Sequence, residues 1–251
     1  MISHSPESIR KHFAACAGKI EDFSSALDTL FAITSDMGFT QVLYAYLPTP
    51  ARLPNGDWLP LKLNVRNFPR DWEGEWKQYM RVDPYYRACF QGIMPLEWAE
   101  VQSSEWLTEK QRKACAYLGD FGLWRGVTVP VHLPFGRFAV VSAIVDSSCR
   151  NWEHVRDNAW EPLRALTHDF TQLVLERGLE NQIERETHVQ LTPREIECLR
   201  WASAGKTSHE TAIIIGRSVE TVRLHLKNAM RKLDACNRVQ AVATAAQLGL
   251  L

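Results

Sequence analysis

Across 251 residues no stretch approaches the roughly 18 consecutive apolar residues of a membrane-spanning helix, so no membrane partner is expected. Charge of one sign is not in excess either. The 29 basic side chains meet 29 acidic ones, which excludes a long basic arm but leaves room for a local basic face. The six cysteines, at 16, 89, 115, 149, 198 and 236, form no CxxC pair, so reduced thiols are expected rather than a disulfide framework. The opening Met1-Ile-Ser-His-Ser-Pro-Glu has no charged-then-apolar segment, and a cytoplasmic protein is expected.

Catalytic signatures are missing too. There is no GxSxG nucleophile elbow, the eight histidines show no HExxH or other metal-ligand spacing, and Cys89 and Cys115 have no identifiable histidine partner. Ala204-Gly-Lys-Thr207 looks like the end of a phosphate-binding loop. The first glycine of GxxxxGK[ST] would fall at Arg200, however, and the segment follows a helix rather than a strand. Neither an enzyme nor a metal or cofactor site is expected. Repeats and low-complexity tracts are absent, which removes solenoids and disordered arrays.

What is present falls into two parts. The segment 176–190, ERGLENQIERETHVQ, is charged and poor in apolar residues, as a helix end running into a linker would be. Eight of the nine tryptophans precede it. Residues 191–251 carry nine Lys/Arg against five Asp/Glu, net +4, leaving net −4 before them. The expected organisation is a first domain over 1–175, a linker over 176–190 and a basic domain over 191–251.

The first part reads as mixed α/β. Helical spacing covers Ser5 to Lys19 and Asp22 to Asp36, with Phe13, Phe23, Leu27, Leu30 and Phe31 as candidate core positions. Gln41–Leu47, Leu59–Val65, Gly126–His132 and Arg137–Val145 are rich in β-branched, aromatic and aliphatic residues and read as strands, the last two flanking a turn at Leu133-Pro-Phe-Gly136. Apolar residues then recur at helical spacing from Trp152 to Leu179, a long amphipathic helix able to cover the sheet or meet a second copy of itself. The fold class expected is α/β: an N-terminal α-β-α sandwich followed by an all-α C-terminal domain.

The last sixty residues are the most informative. Thr192-Pro-Arg-Glu195 combines an N-cap, a proline at the first helical position and a capping-box glutamate, and Thr207-Ser-His-Glu210 repeats the signal. Gly216-Arg-Ser218 makes a tight turn before a third helix through Leu233, and Arg238 to Leu248 makes a fourth. Two short helices joined by a glycine turn describe a helix-turn-helix. On the third helix Val219, Val222, Leu226, Ala229 and Leu233 form one stripe, while Arg223, Lys227 and Arg231 recur every four residues on another face. Such a face can enter the major groove of double-stranded DNA. Leu224 beside it is an apolar residue that a thymine methyl would explain. A solvated surface stripe is the alternative reading of the charges alone.

Leu191 to the end, including the Thr-Val-x-x-His-x-x-Asn-x-x-x-Lys-Leu run from Thr221 to Leu233, resembles the LuxR/GerE-type helix-turn-helix. The resemblance implies base reading by Arg223, Leu224 and Lys227. It implies DNA-backbone contacts by Lys206, Thr207, Ser218, Thr221, His225 and Lys232.

Two kinds of domain commonly accompany this module. A phosphorylatable receiver would need an acidic pair after a first hydrophobic strand, but this chain opens with helices. Phe68-Pro-Arg-Asp-Trp72, Arg81-Val-Asp-Pro84 and Met94-Pro-Leu-Glu-Trp98 instead resemble the NYPxxW…DP…PxxW pattern of acyl-homoserine-lactone receptors, continued by Gly122–Pro130 and Phe138–Ile144. By that resemblance Trp72 donates its indole N–H to a lactone carbonyl, Asp83 accepts the ligand amide N–H, Ser142 bonds the acyl carbonyl and Trp98 walls the lactone, with Thr128 beside them. Read as residues alone, Asp83 before Pro84 is equally an N-cap, Trp72 and Trp98 core aromatics, and Ser142 a strand serine.

The chain departs from the pattern in two places. Phe68 stands where the family often has tyrosine, and the interval from Trp72 to Asp83 is shorter than usual. Phe68, Trp76, Tyr79, Trp106, Trp124 and Phe138 are expected to form an aromatic channel for a short, branched or aryl acyl group. The implied protein is a quorum-sensing transcriptional regulator, with an autoinducer and double-stranded DNA as partners. It would act as a homodimer on an inverted repeat and meet RNA polymerase at the promoter. The competing expectation is an orphan helix-turn-helix regulator whose first domain binds a protein or a non-lactone metabolite.

Overall fold

The structure, a computed structural model, describes residues 5–47, 62–183, 191–247 and 250–251. It divides into two compact units, the bulk of one ending at residue 184 and the bulk of the other starting at 185.

The first unit is a sheet between two layers of helices. Helix α1 (Pro6–Ala17) starts at Ser5, whose hydroxyl accepts the amide of Ser8. Helix α2 (Phe23–Asp36) starts at a capping box made by Asp22 and Ser25. Strands β1 (Gln41–Leu47) and β2 (Lys62–Arg66) follow, then helices α3 (Glu73–Tyr79) and α4 (Pro84–Gln91), strand β3 (Leu96–Glu97), and helices α5 (Trp98–Gln102) and α6 (Glu109–Asp120). Strands β4 (Arg125–His132) and β5 (Phe138–Val145) form a hairpin through a single 3-10 turn at Pro134–Gly136, and helices α7 (Trp152–Glu176) and α8 (Glu180–Ile183) complete the unit.

All neighbouring strands are antiparallel, in the order β2-β1-β5-β4-β3. Because side chains alternate along a strand, each strand feeds two cores. Val42, Tyr44, Val127, Val129, Val141 and Ala143 join α1, α2 and α7 in one core. Ala45, Leu47, Phe138, Val140 and Ile144 join the helices between Trp72 and Leu123 in the other. Every residue of β5 is buried, as expected for a strand covered on both faces.

The short helices α3 to α6 lie where no helix is predicted. Helices α3 to α5 are one to two turns long, too short for a 3.6-residue pattern to stand out from the aromatic composition, whereas α6 is as long as α1 and the Thr108–Gln111 capping box that starts it is the signal missed. Residues 59–61 of the expected strand Leu59–Val65 lie outside the described residues. The long helix stops at Glu176 rather than Leu179, and Gly178 follows with φ 64°. The expected linker over 176–190 also needs correction at its start. Leu179 and Ile183 are buried in the first core, and the Gln182 side chain accepts the amide of Phe23 at 2.8 Å, so packing into the first unit continues through Ile183.

The second unit consists of α9 (Pro193–Ser203), α10 (Ser208–Ile215), α11 (Val219–Lys232) and α12 (Arg238–Gln247). Cys198, Leu199, Ala212, Val222, Leu226, Ala229, Leu233, Ala241 and Ala245 form its own small core. No helix among the described residues is long and apolar enough to cross a membrane.

Candidate functional site

The second core of the first unit contains a narrow cavity that is partly open to solvent. Its walls are Leu43, Leu63, Val140 and Ser142 from the sheet, Thr128 from β4, Phe68 and Trp72 from the turn before α3, Trp76 from α3, and Asp83, Tyr85, Tyr86 and Cys89 around α4; Trp98 and Leu118 close it. Seven of the eleven residues expected at a ligand are thus brought together: Phe68, Trp72, Trp76, Asp83, Trp98, Thr128 and Ser142.

The turn carrying Phe68 and Trp72 is shaped by two residues in the left-handed region, Asn67 (φ 57°) and Asp71 (φ 64°). Asn and Asp are the non-glycine residues that best tolerate it, and the Asn67 amide anchors the turn by donating to the Thr40 carbonyl at 2.7 Å. Phe68, Trp72 and Trp76 then follow one another with ring centroids 4.9 and 6.2 Å apart. The Tyr117 hydroxyl holds the Trp72 carbonyl at 2.7 Å.

Asp83 caps a helix and also faces the cavity. Its Oδ1 caps α4 by accepting the amides of Tyr85 at 2.8 Å and Tyr86 at 3.1 Å, while the residue lines the cavity. Its other oxygen has no protein partner among the described residues. Burial pushes the carboxyl up to about 6, against the two backbone donors that favour its charged form. Among the described residues, no lysine or arginine lines the cavity.

Trp98, Thr128 and Ser142 form a chain. The Trp98 indole N–H donates to Thr128 Oγ1 at 2.8 Å, and the Thr128 and Ser142 hydroxyls lie 2.8 Å apart, directly across the β4–β5 ladder. Three hydrogens serve two bonds here. One hydroxyl hydrogen is left over, and both hydroxyls line the cavity. Trp98 also stacks on Tyr85 at 4.4 Å, and the Tyr85 hydroxyl accepts from the Gln102 amide at 2.9 Å.

Four expected channel residues do not line the cavity. Trp106 is 41% exposed, with the Arg87 guanidinium over its ring at 5.0 Å. Trp124 is 43% exposed. Phe138 is fully buried, but it packs against Tyr86, Phe90 and His132. Tyr79 sits behind Trp76, against Tyr117. Aromatic composition marked all of them alike; only the direction of each side chain separates lining from packing. Leu43, Leu63, Tyr85, Tyr86, Cys89, Leu118 and Val140 line the cavity without being expected there, because an apolar residue on a sheet covered on both faces, or on a short helix, carries no sign in the sequence of which core it faces.

The second unit presents a different surface. Helix α10 ends at Gly216 in the left-handed conformation (φ 62°, ψ 45°), and α11 begins at Ser218, whose hydroxyl accepts the Thr221 amide at 3.1 Å. Along α11, Val222, Leu226 and Ala229 are buried, while Arg223, Leu224 and Lys227 are exposed, Leu224 to 56%. Thr207 caps α10 and bonds Glu210, which Lys206 approaches to 3.7 Å. Thr221 bonds the Ser218 hydroxyl, and His225 is half-buried.

Lys232 is half-buried, and its ammonium donates to Glu195 Oε2 at 2.8 Å, tying the end of α11 to the start of α9. Burial raises the Glu195 carboxyl, but the Lys232 hydrogen bond and the Thr192 amide outweigh it and hold the group below its usual range.

The model described as "Autoinducer binding domain" matches residues 22–172, and that described as "Bacterial regulatory proteins, luxR family" matches residues 189–245. Among known proteins, the chain is 30% identical to the HTH-type quorum sensing-dependent transcriptional regulator RpaR of Rhodopseudomonas palustris, over 88% of this chain and 86% of that one. It is 31% identical to the transcriptional activator protein BjaR1 of Bradyrhizobium diazoefficiens, over 90% and 88%. Among solved structures, Escherichia coli SdiA shares the fold with a TM-score of 0.71 and 21% identity, covering 98% of this chain and 99% of that one.

Proposed function

The chain belongs to the LuxR-type quorum-sensing transcriptional regulators, with an autoinducer-binding domain and a GerE-type helix-turn-helix, and from that premise we propose that its signal is an N-acyl homoserine lactone. The observation that carries the reading is the polar complement of the cavity. A lactone amide offers one N–H donor and two carbonyl acceptors. The unshared Asp83 oxygen answers the N–H, the Trp72 indole answers the lactone carbonyl, and the spare hydroxyl hydrogen of the Thr128–Ser142 pair answers the acyl carbonyl. Each match matters because a buried amide left without partners costs several times what a made bond contributes. The absence of a lining cation favours a neutral ligand.

Occupancy fills a narrow cavity in the core and so stabilises the folded first unit, coupling ligand to the active population. Arg223, Leu224 and Lys227 read base edges in the major groove, with Lys206, Thr207, Ser218, Thr221 and His225 near the phosphates. One such helix makes few base contacts, and two copies on an inverted repeat multiply its specificity, so the acting species is a homodimer. It works in the cytoplasm, where the promoter and RNA polymerase are.

Two titrations test this: quenching of tryptophan fluorescence by synthetic acyl lactones, and gel shift of an inverted-repeat promoter with and without them. Saturable quenching together with ligand-dependent retardation is expected. Ligand-independent retardation with no lactone bound would favour a constitutive regulator or one that senses another metabolite or a protein.

A further inference from the structure

The cavity wall includes a buried hydrogen-bond donor, the Trp76 indole, that the proposed contacts to a plain acyl lactone leave unused. Trp76 is 3% exposed and lines the cavity, yet its indole Nε1 has no partner among the described residues. Its neighbours are the rings of Trp72, Tyr79 and Tyr117, none of which offers the N–H an acceptor in the structure. Trp72 and the spare hydroxyl hydrogen already serve the two carbonyls of a lactone amide, and Trp98 is committed to Thr128. Tyr85 is engaged through its hydroxyl with Gln102 and Cys115. A buried donor without an acceptor is destabilising, so a ligand that supplied one would be selected over one that did not.

We propose that the acyl arm of the signal molecule carries an oxygen acceptor of its own, bonded by the Trp76 indole N–H, and that Trp76 is thereby a specificity-determining residue. This rests on reading the cavity as the site of an acyl lactone. The oxygen is a neutral one, a keto, hydroxyl or ether group, because no cation is at hand to hold a carboxylate and Asp83 would repel it.

The test uses matched homoserine lactones that differ by that oxygen: N-butanoyl against N-(3-oxobutanoyl), and N-cinnamoyl against N-(4-hydroxycinnamoyl). Each is titrated by calorimetry into the full chain and into Trp76→Phe. In at least one pair the oxygenated member is expected to bind the wild-type chain on the order of ten-fold more tightly, and Trp76→Phe to shrink that preference to within about two-fold. Equal binding within both pairs, or a preference that survives in Trp76→Phe, overturns this inference alone. Failure of every lactone to bind overturns the lactone reading and this inference with it. Should Trp76→Phe not fold, wild-type NMR decides: a further exchange-protected indole N–H resonance should appear only with the oxygenated member, and its absence overturns the proposal.

Discussion

At the scale of single residues, the cap of α4 and the proposed ligand acceptor are the same side chain. Asp83 is buried enough that its folded-state carboxyl titrates near 6, above the value of an unfolded chain. Folded protein therefore binds more protons than unfolded protein between about pH 4 and pH 6. The first unit is relatively most stable below that window and loses up to ~3 kcal/mol as pH rises through it. Asp83→Asn keeps a cap oxygen and removes the charge. Without ligand it is expected to melt higher than wild type near pH 7.5, by roughly 1–3 kcal/mol, and similarly near pH 4, while binding the ligand more weakly. Thermal melts at the two pH values check the sign.

Two cations in the second unit separate in the same way. Arg223→Ala removes an exposed side chain, so folding should change by no more than about 0.5 kcal/mol, whereas specific DNA affinity should fall by about 1–3 kcal/mol. Lys232→Met leaves the buried Glu195 carboxylate without its cation. It should destabilise the second unit by roughly 1–3 kcal/mol, discounted because the ammonium end of Lys232 reaches solvent. Circular dichroism melts beside gel shifts distinguish a reader from a structural pair. Sequence marked both as cations on one helix. Only the distance to Glu195 told them apart.

At the scale of elements, close approach fixes the site. Gly126 opens the buried run of β4 under Trp98, where an added Cβ would meet Ala143 O at 3.0 Å, Ile144 Cγ1 at 3.1 Å and Trp98 Cδ2 at 3.3 Å. The backbone oxygen cannot yield, so the indole must. Gly126→Ala is expected to cost about 1–3 kcal/mol and to loosen the Trp98–Thr128 bond, weakening ligand binding beyond the loss of stability. A melt and a titration on the same sample test it, and wild-type values in both would show that the indole has room to move.

The long elements were legible in the chain. Runs of β-branched, aromatic and aliphatic residues marked β1, β4 and β5, the extended stripe marked α7, and the repeated T-x-x-E boxes with Gly216 marked α9, α10 and α11. The layer α3 to α6 was not: α3 to α5 are one to two turns long, and α6, though as long as α1, was missed with its Thr108–Gln111 capping box.

At the scale of the molecule, division of labour follows the division of charge: an acidic, tryptophan-rich unit encloses a cavity, and a basic unit of net +4 presents a recognition helix. Ligand at a hundred times its dissociation constant adds about 2.7 kcal/mol to the folded state. For a domain of this size that is roughly 5–10 °C in melting temperature. Scanning calorimetry with a saturating lactone should show that rise, and Asp83→Asn should show much less of it.

The sequence by itself determined the periodicities, the caps, the left-handed turn positions and the order of polar residues along the chain, because these depend on neighbours within a few residues. It therefore fixed the fold class and the recognition helix. Which aromatics face the cavity, which lysine is committed to a buried carboxylate, and that one indole N–H is left without an acceptor depend on side chains meeting from distant segments. Those outcomes are set by packing across the sheet and between helices, and tertiary structure alone decided them.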